Sequence, residues 1–342
     1  MKKYNFALIY FIVLSLSLIV TSIFAQTNLT NPNASKEAKA LLTYLNSISG
    51  KYILSGQHNY ATELNRSTDS VKSITGKYPA MWGCDMEGLI SDSSFTRQNV
   101  IDEVIRQYEK GSIITIMYHQ VKPFDDDTLG FRRSVKGRVT DDEWKKIVTP
   151  GTEYNNMLIE KLDSVANYLK QLRDKKIPIL WRPYHEMNGM WFWYGDRKGE
   201  DGFVKLWKII YERYVHHHKL NNLIWVWNPN APRYWKDDEA YDYHLFYPGD
   251  DYVDILATDI YKNDYKQSHH DDLIKLANGK LVAIGECGIL PTPEILKEQS
   301  KFVWFMDWAR FVWEENEPKK VRALYNYEKV LTLDEINRTP IK

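Results

Sequence analysis

The chain is predicted to fold as one (β/α)8 TIM barrel of the α/β class. Eight short apolar runs recur along it, amphipathic segments separate them, and no linker, repeat or low-complexity stretch interrupts the series. The runs are 52–56, 80–83, 112–118, 177–183, 223–228, 253–260, 281–285 and 302–308. Most are four to eight residues without polar alternation, as expected for parallel strands covered on both faces. Between them, Met157, Leu158, Leu162, Val165, Tyr168, Leu169 and Leu172 fall on one stripe of a helix predicted over 152–173. Segments 97–108 and 203–217 show the same spacing. Eight strands alternating with helices close most simply into a barrel. A doubly wound open sheet is the alternative, but neither GxGxxG nor GxxxxGK[ST] follows the first strand.

Residues 1–25 are set apart from this fold. Lys2 and Lys3 precede an apolar run from Phe6 to Val20, followed by Thr21-Ser22-Ile23-Phe24-Ala25 before Gln26. The pattern predicts a secretory signal peptide cleaved after Ala25, because an apolar run of about 15 residues is short for a membrane span of ~20. Residues 26–36 are polar and predicted as a flexible leader, and 37–342 as the barrel. The chain is therefore expected to be exported, to a periplasm or the medium, with no membrane attachment after cleavage.

Composition narrows the partners. The 342 residues carry 45 basic and 45 acidic side chains, so nothing favours a nucleic acid, whose phosphates require a surplus of Lys and Arg. The 23 Tyr, 12 Trp and 12 Phe make 14% of the chain aromatic, a surplus that needs a reason. Cys84 and Cys287 are the only cysteines and are expected as buried free thiols, since a chain this long needs no staple.

In a barrel the chemistry lies at the C-terminal ends of the strands. Those ends read Gln57-His58, Asp85, His119, His185-Glu186, Asn228, Asp259 with Tyr261, Glu286 and Trp308. The densest is Trp181-Arg182-Pro183-Tyr184-His185-Glu186-Met187-Asn188-Gly189-Met190-Trp191-Phe192-Trp193-Tyr194-Gly195. Next is Ala283-Ile284-Gly285-Glu286-Cys287-Gly288, a buried strand ending in a carboxylate between glycines. Two carboxylates on different strand ends suit glycoside hydrolysis, in which one protonates the leaving oxygen and the other attacks or activates water. Aromatic faces stack on the C–H faces of sugars, and a neutral ligand needs no net charge. From spacing alone, two structurally satisfied glutamates in a polar barrel mouth explain the pattern as well.

The run Arg182-Pro183-Tyr184-His185-Glu186-Met187-Asn188-Gly189 with Trp191-Phe192-Trp193 closely resembles the signature of glycoside hydrolase family 26. Leu54-Ser55-Gly56-Gln57-His58, Tyr118-His119, Tyr247-Pro248-Gly249-Asp250, Tyr252-Val253-Asp254, Asp259-Ile260-Tyr261 and Phe305-Met306-Asp307-Trp308 extend the likeness in order. The resemblance implies a retaining glycosidase of the β-mannanase type, cleaving β-1,4-mannosidic links in mannans or mannooligosaccharides by double displacement, without cofactor or metal. It implies Glu186 as general acid/base and Glu286 as nucleophile, with Tyr261 orienting Glu286. His119 and His185 are implied as polar contacts to the sugar, and Trp191 and Trp308 as aromatic walls. Members of that family also act on β-1,3-xylan or β-glucans, so the sugar stays open between these. A barrel that binds glycans without cutting them is the competing class. The partner is expected to be a polysaccharide or oligosaccharide and the protein a monomer.

Other clusters read as structural. His216-His217-His218 is expected as a solvated helix end, Asp125-Asp126-Asp127 as a solvated turn, and His269 to Asp272 as the start of a helix with both acids in its first turn. Gly189 stands where a zincin would place its second His. Trp304 and Trp313 are expected in the core, Trp227 at the mouth or in the core with equal weight, and 121–149 as a cleft wall or plain surface.

Overall fold

Eight strands, every residue of each buried, form one parallel sheet in the order of the chain. They are β1 (Ile53–His58), β2 (Met81–Asp85), β3 (Ile113–Tyr118), β4 (Ile179–Pro183), β5 (Leu223–Trp227), β6 (Ile255–Ile260), β7 (Leu281–Cys287) and β8 (Trp304–Asp307). Pairing of β8 back to β1, from Leu54 opposite Trp304 to Gln57 opposite Asp307, closes the barrel. Each expected run supplies one strand. This computed structural model describes residues 28–87 and 96–336. The expected signal peptide lies outside the described residues.

The helices follow the same logic of a buried stripe and a capped start. Helix α1 (Lys36–Ile48) is capped by Ser35, α3 (Arg97–Lys110) by Thr96 and α5 (Glu153–Asp174) by Thr152, each hydroxyl accepting a backbone N–H of the first turn. Between α1 and α3 lies α2 (Arg66–Thr75), and α4 (Asp141–Ile147) precedes α5. Segment 203–217 is α6 (Phe203–Glu212) continued by a wide π turn over Arg213–His217. Helix α7 (Gln267–Ala277) begins before His269, which puts Asp271 and Asp272 beyond its first turn and buries both histidines.

Two apolar layers result. Leu54, Met81, Leu180, Ile224, Val226, Ala257, Ala283 and Met306 pack inside with Leu41, Leu42 and Leu45 of α1, which closes the floor. Trp82, Trp181, Trp225, Trp227 and Phe305 alternate with them, face the helices and are buried. Burying each Trp removes about 200 Å² from water, about 5 kcal/mol of transfer free energy. Much of the aromatic surplus is therefore core. Trp227 lies edge-on to Tyr247 at 5.2 Å and does not reach the mouth. Trp304 is core, whereas Trp313 is only partly buried and faces a cavity.

The segment expected as a flexible leader is instead held to the floor over its described residues. Leu29 and Asn31 are buried, Thr30 N donates to Asp254 Oδ1 and Ser35 N to Asn221 O. Cys84 and Cys287 are free and buried.

Candidate active site

The end of β4 turns sharply. Tyr184 at φ +48° and Glu186 at φ +57° occupy the left-handed region, which costs non-glycine residues of order 1–3 kcal/mol each and concentrates at functional sites. Tyr184 N donates to Tyr118 O and Glu186 N to Asn228 O at 2.7 Å, so the neighbouring strand ends hold the turn. Gly189 is required because Trp191 lies on it; a Cβ there would meet the indole at 2.2 Å. Gly285 is required for a similar reason, since a Cβ would strike Asn228 Oδ1 at 1.7 Å. In β7 a register irregularity between Thr258 and Asp259 of β6 brings Asp259 opposite Glu286.

Glu286 is enclosed by donors. Arg182 Nη2 donates to its Oε1 at 2.7 Å, His185 Nε2 lies 3.1 Å from the same oxygen, and Tyr261 OH donates to Oε2 at 2.5 Å. Arg182 is fixed by Asn228 Oδ1 at 3.1 Å and faces Asp259 Oδ1 at 3.5 Å. Burial alone would raise the Glu286 carboxyl, but the Arg182 guanidinium and the His185 imidazole beside it hold it well below the usual carboxylate range. Burial pushes His185 down to about 4, so its ring is neutral near pH 7. Burial, reinforced by Glu286, pushes Asp259 well up, which keeps it a neutral acid, and does the same to the Tyr261 hydroxyl, which stays a donor.

Glu186 has the opposite character. Its Oε1 accepts from Asn230 Nδ2 and its Oε2 from Trp191 Nε1 at 2.8 Å. Burial first, then the negative charge of Glu286, pushes it up to about 7, beyond what the two donors offset. Near neutrality the site thus holds one ionised carboxylate and one carboxylic acid with a proton to give.

Both glutamates line a cavity of about 560 Å³ together with His119, His185, Trp191 and Trp308. Asp85 Oδ2 lies 2.6 Å from His119 Nδ1, which fixes the ring and leaves Nε2 without a protein partner. Trp308 stacks on buried His58, ring centres 4.3 Å apart. A second cavity of about 790 Å³, lined among others by Tyr60, Arg66 and Trp313, shares Phe131, Lys136 and Trp308 with the first. The two meet over Trp308. Segment 121–149 is therefore a wall, pinned to the β4 loop where Trp193 N donates to Val135 O and Gly137 N to Trp191 O.

All seven residues expected at the site, Glu186, Glu286, His119, His185, Trp191, Tyr261 and Trp308, line this one cavity. Phe192 lines it too, whereas Trp193 is turned into the core with its Nε1 on Gln120 O. Sequence reasoning gave no role to Arg182, Asn230 or Asp85, although all three stand at or just after strand ends. Among the described residues, His185, Asp259 and Glu286 are the one group with three metal-capable atoms close together, within 4.8 Å. The Arg182 guanidinium already neutralises that pair of carboxyls, so a metal ion would have to displace it from Glu286.

Residues 30–335 match the profile of glycosyl hydrolase family 26. The mannan endo-1,4-β-mannosidase of Thermothelomyces thermophilus is 35% identical over 90% of this chain, which spans 63% of that relative's length. The mannan endo-1,4-β-mannosidase of Bacillus subtilis strain 168 is 29% identical, covering 98% of this chain and 96% of its own. A solved structure of GH26A from a Muricauda species superposes with a TM-score of 0.87 at 48% identity, over 90% of this chain and 99% of that one. With its closed barrel and paired glutamates, the chain belongs to glycosyl hydrolase family 26.

Proposed function

We propose that the protein is a retaining glycoside hydrolase that cleaves β-1,4-mannosidic links in mannans and mannooligosaccharides. The observation that carries this is the contrast between two glutamates lining one cavity: Glu286 is enclosed by Arg182, His185 and Tyr261, which favour its ionised form, while burial and the charge of Glu286 push Glu186 up to about 7. A sugar lies on Trp308 between them, with His119 and His185 at its hydroxyls. Glu286 Oε attacks the anomeric carbon as the glycosidic C–O bond breaks, and Glu186 transfers its proton to the departing oxygen. The carboxylate left on Glu186 then takes a proton from water, whose oxygen displaces Glu286 from the sugar, so configuration is retained. The mannan choice is supported by the names of the relatives and by the aromatic walls Trp191 and Trp308 of the cleft.

Every group the reaction uses comes from one chain, which fits a monomer. Export remains part of the proposal and rests on the pattern of residues 1–25; no described helix is long and apolar enough to cross a membrane.

The test is reducing-sugar release from a panel of mannan, glucomannan, β-1,3-xylan and β-glucan by the wild type, Glu186→Ala and Glu286→Ala. Activity on mannan, lost by at least about 10³-fold in Glu286→Ala, is expected. Release from xylan or glucan alone overturns the substrate, wild-type rates in either variant overturn the mechanism, and mannan binding without release makes the protein a binding module.

A further inference from the structure

We propose that Arg233 is a positioning residue that orients the Glu186 carboxyl by holding both groups hydrogen-bonded to it. This rests on the reading of Glu186 as the acid. Arg233 lies on a short hairpin after β5, Arg233–Trp235 against Asp238–Ala240, which docks on the β4 loop where Ala240 pairs with Gly189 and Tyr241 N donates to Asn188 O. Its Nη1 donates to Asn230 Oδ1, and Asn230 Nδ2 donates to Glu186 Oε1. Its guanidinium carbon lies 4.9 Å from the ring centre of Trp191, whose Nε1 donates to Glu186 Oε2. One side chain therefore backs both supports of one carboxyl.

Each support has an alternative that Arg233 removes. An Asn amide can turn over; occupying Asn230 Oδ1 with an Arg donor leaves only Nδ2 to face the carboxyl. A loop indole can swing; a cation over its face holds it. Arg233 is itself fixed. Nε donates to Asp238 O at 3.0 Å, Nη2 donates to Asp238 Oδ1 at 2.7 Å, and the guanidinium carbon lies 5.4 Å from the Trp235 ring centre. Lys262 Nζ closes the far side, donating to Asp238 Oδ2 at 3.1 Å.

Arg233 also places a positive charge near the carboxylate that forms when Glu186 gives up its proton. Facing Glu186 are Glu286 of β7, Asp259 of β6 and Tyr261 beyond β6, together with Tyr194 of its own β4 loop. Of these the ionised one is Glu286, so Arg233 is the cation opposing it at Glu186.

The test compares kcat/KM across pH for two substrates in full-length protein. Mannohexaose needs a proton on its leaving oxygen; 2,4-dinitrophenyl β-mannobioside does not. In Arg233→Met, kcat/KM for mannohexaose is expected to fall about 10-fold and that for the aryl glycoside less than about 2-fold, with the basic limb moving to higher pH. Arg233→Lys keeps the charge but cannot fork to Asn230 and Asp238. It should show the same substrate split with the basic limb in place, and it carries the test if Arg233→Met fails to fold. Equal falls on both substrates, or an unmoved limb in Arg233→Met, overturn the proposal. Glu186→Ala is the reference. If it shows no split, the acid assignment fails and this proposal with it; if it shows the split and the Arg233 variants do not, only the role of Arg233 fails.

Discussion

Replacing Glu186 with Gln should shift stability in the variant's favour as pH rises, while abolishing turnover. The folded carboxyl titrates at about 7, against an ordinary value of 4.5, because burial and Glu286 disfavour its charge. The folded state thus holds this proton more tightly than the unfolded chain does. Stability from this group is complete below pH 4.5, declines as pH rises toward 7 and is level above. At about 1.4 kcal/mol per pH unit, the interval corresponds to about 3 kcal/mol. Gln carries no charge at any pH. Its oxygen can accept from only one of Asn230 Nδ2 and Trp191 Nε1, and its NH2 faces the other donor, a cost that does not change with pH. The advantage of Glu186→Gln over wild type should therefore grow by about 3 kcal/mol between pH 4.5 and pH 8. In thermal midpoint that is roughly 4–5 °C for a barrel of this size. Urea unfolding of both proteins at pH 4.5, 6 and 8 measures it. Other buried acids, such as Glu87, titrate alike in both proteins and cancel. A difference that stays flat with pH would refute the claim that Glu186 is held protonated by its surroundings.

Glu286→Gln should act with the opposite sign. It strips the charge partner from buried Arg182, at a cost of about 3–5 kcal/mol at pH 7. The folded Glu286 carboxyl lies well below its unfolded value, so its contribution is present above pH 4.5 and the gap to wild type should narrow below that; urea midpoints at pH 7 and pH 4 report it. Tyr261→Phe removes the donor to Glu286 Oε2 and should lower kcat/KM about 10-fold with an intact fold by circular dichroism; wild-type kinetics would contradict an orienting role. For the unmodified protein, kcat/KM should fall as pH rises past about 7, with no loss of the nucleophile down to pH 5, which a pH–rate profile on mannohexaose checks.

Strand positions are legible in the chain because both faces of each strand are covered, so polar residues drop out and leave runs of continuous apolar character. Glu186, Glu286 and His119 are legible for the converse reason, since each is a polar residue that follows such a run at its C-terminal end. Which way a given residue faces is less so. Trp225 and Trp227 alternate with Val226, and a shift of one residue in register exchanges the two faces. Only the closed barrel decides that the indoles meet the helices. The anchoring of the leader is not legible, because polar composition suggests looseness, whereas the contacts of Thr30 and Asn31 are made to residues some 190 to 220 positions away. The role of Asn230 is hidden for the same cause, its hydrogen bond to Glu186 spanning 44 positions. Arg233 stands on a hairpin that no periodicity announces. Relations made by tertiary approach alone leave no local mark.

The assignment of Glu286 as nucleophile is tested most directly by trapping. Incubation with 2-deoxy-2-fluoro-β-mannosyl fluoride, followed by intact-mass measurement and peptide mapping, should show one added fluorosugar on the peptide carrying Glu286 and none in Glu286→Ala. A label on Glu186, or turnover of wild-type protein to an inverted product with no trapped sugar, would contradict it.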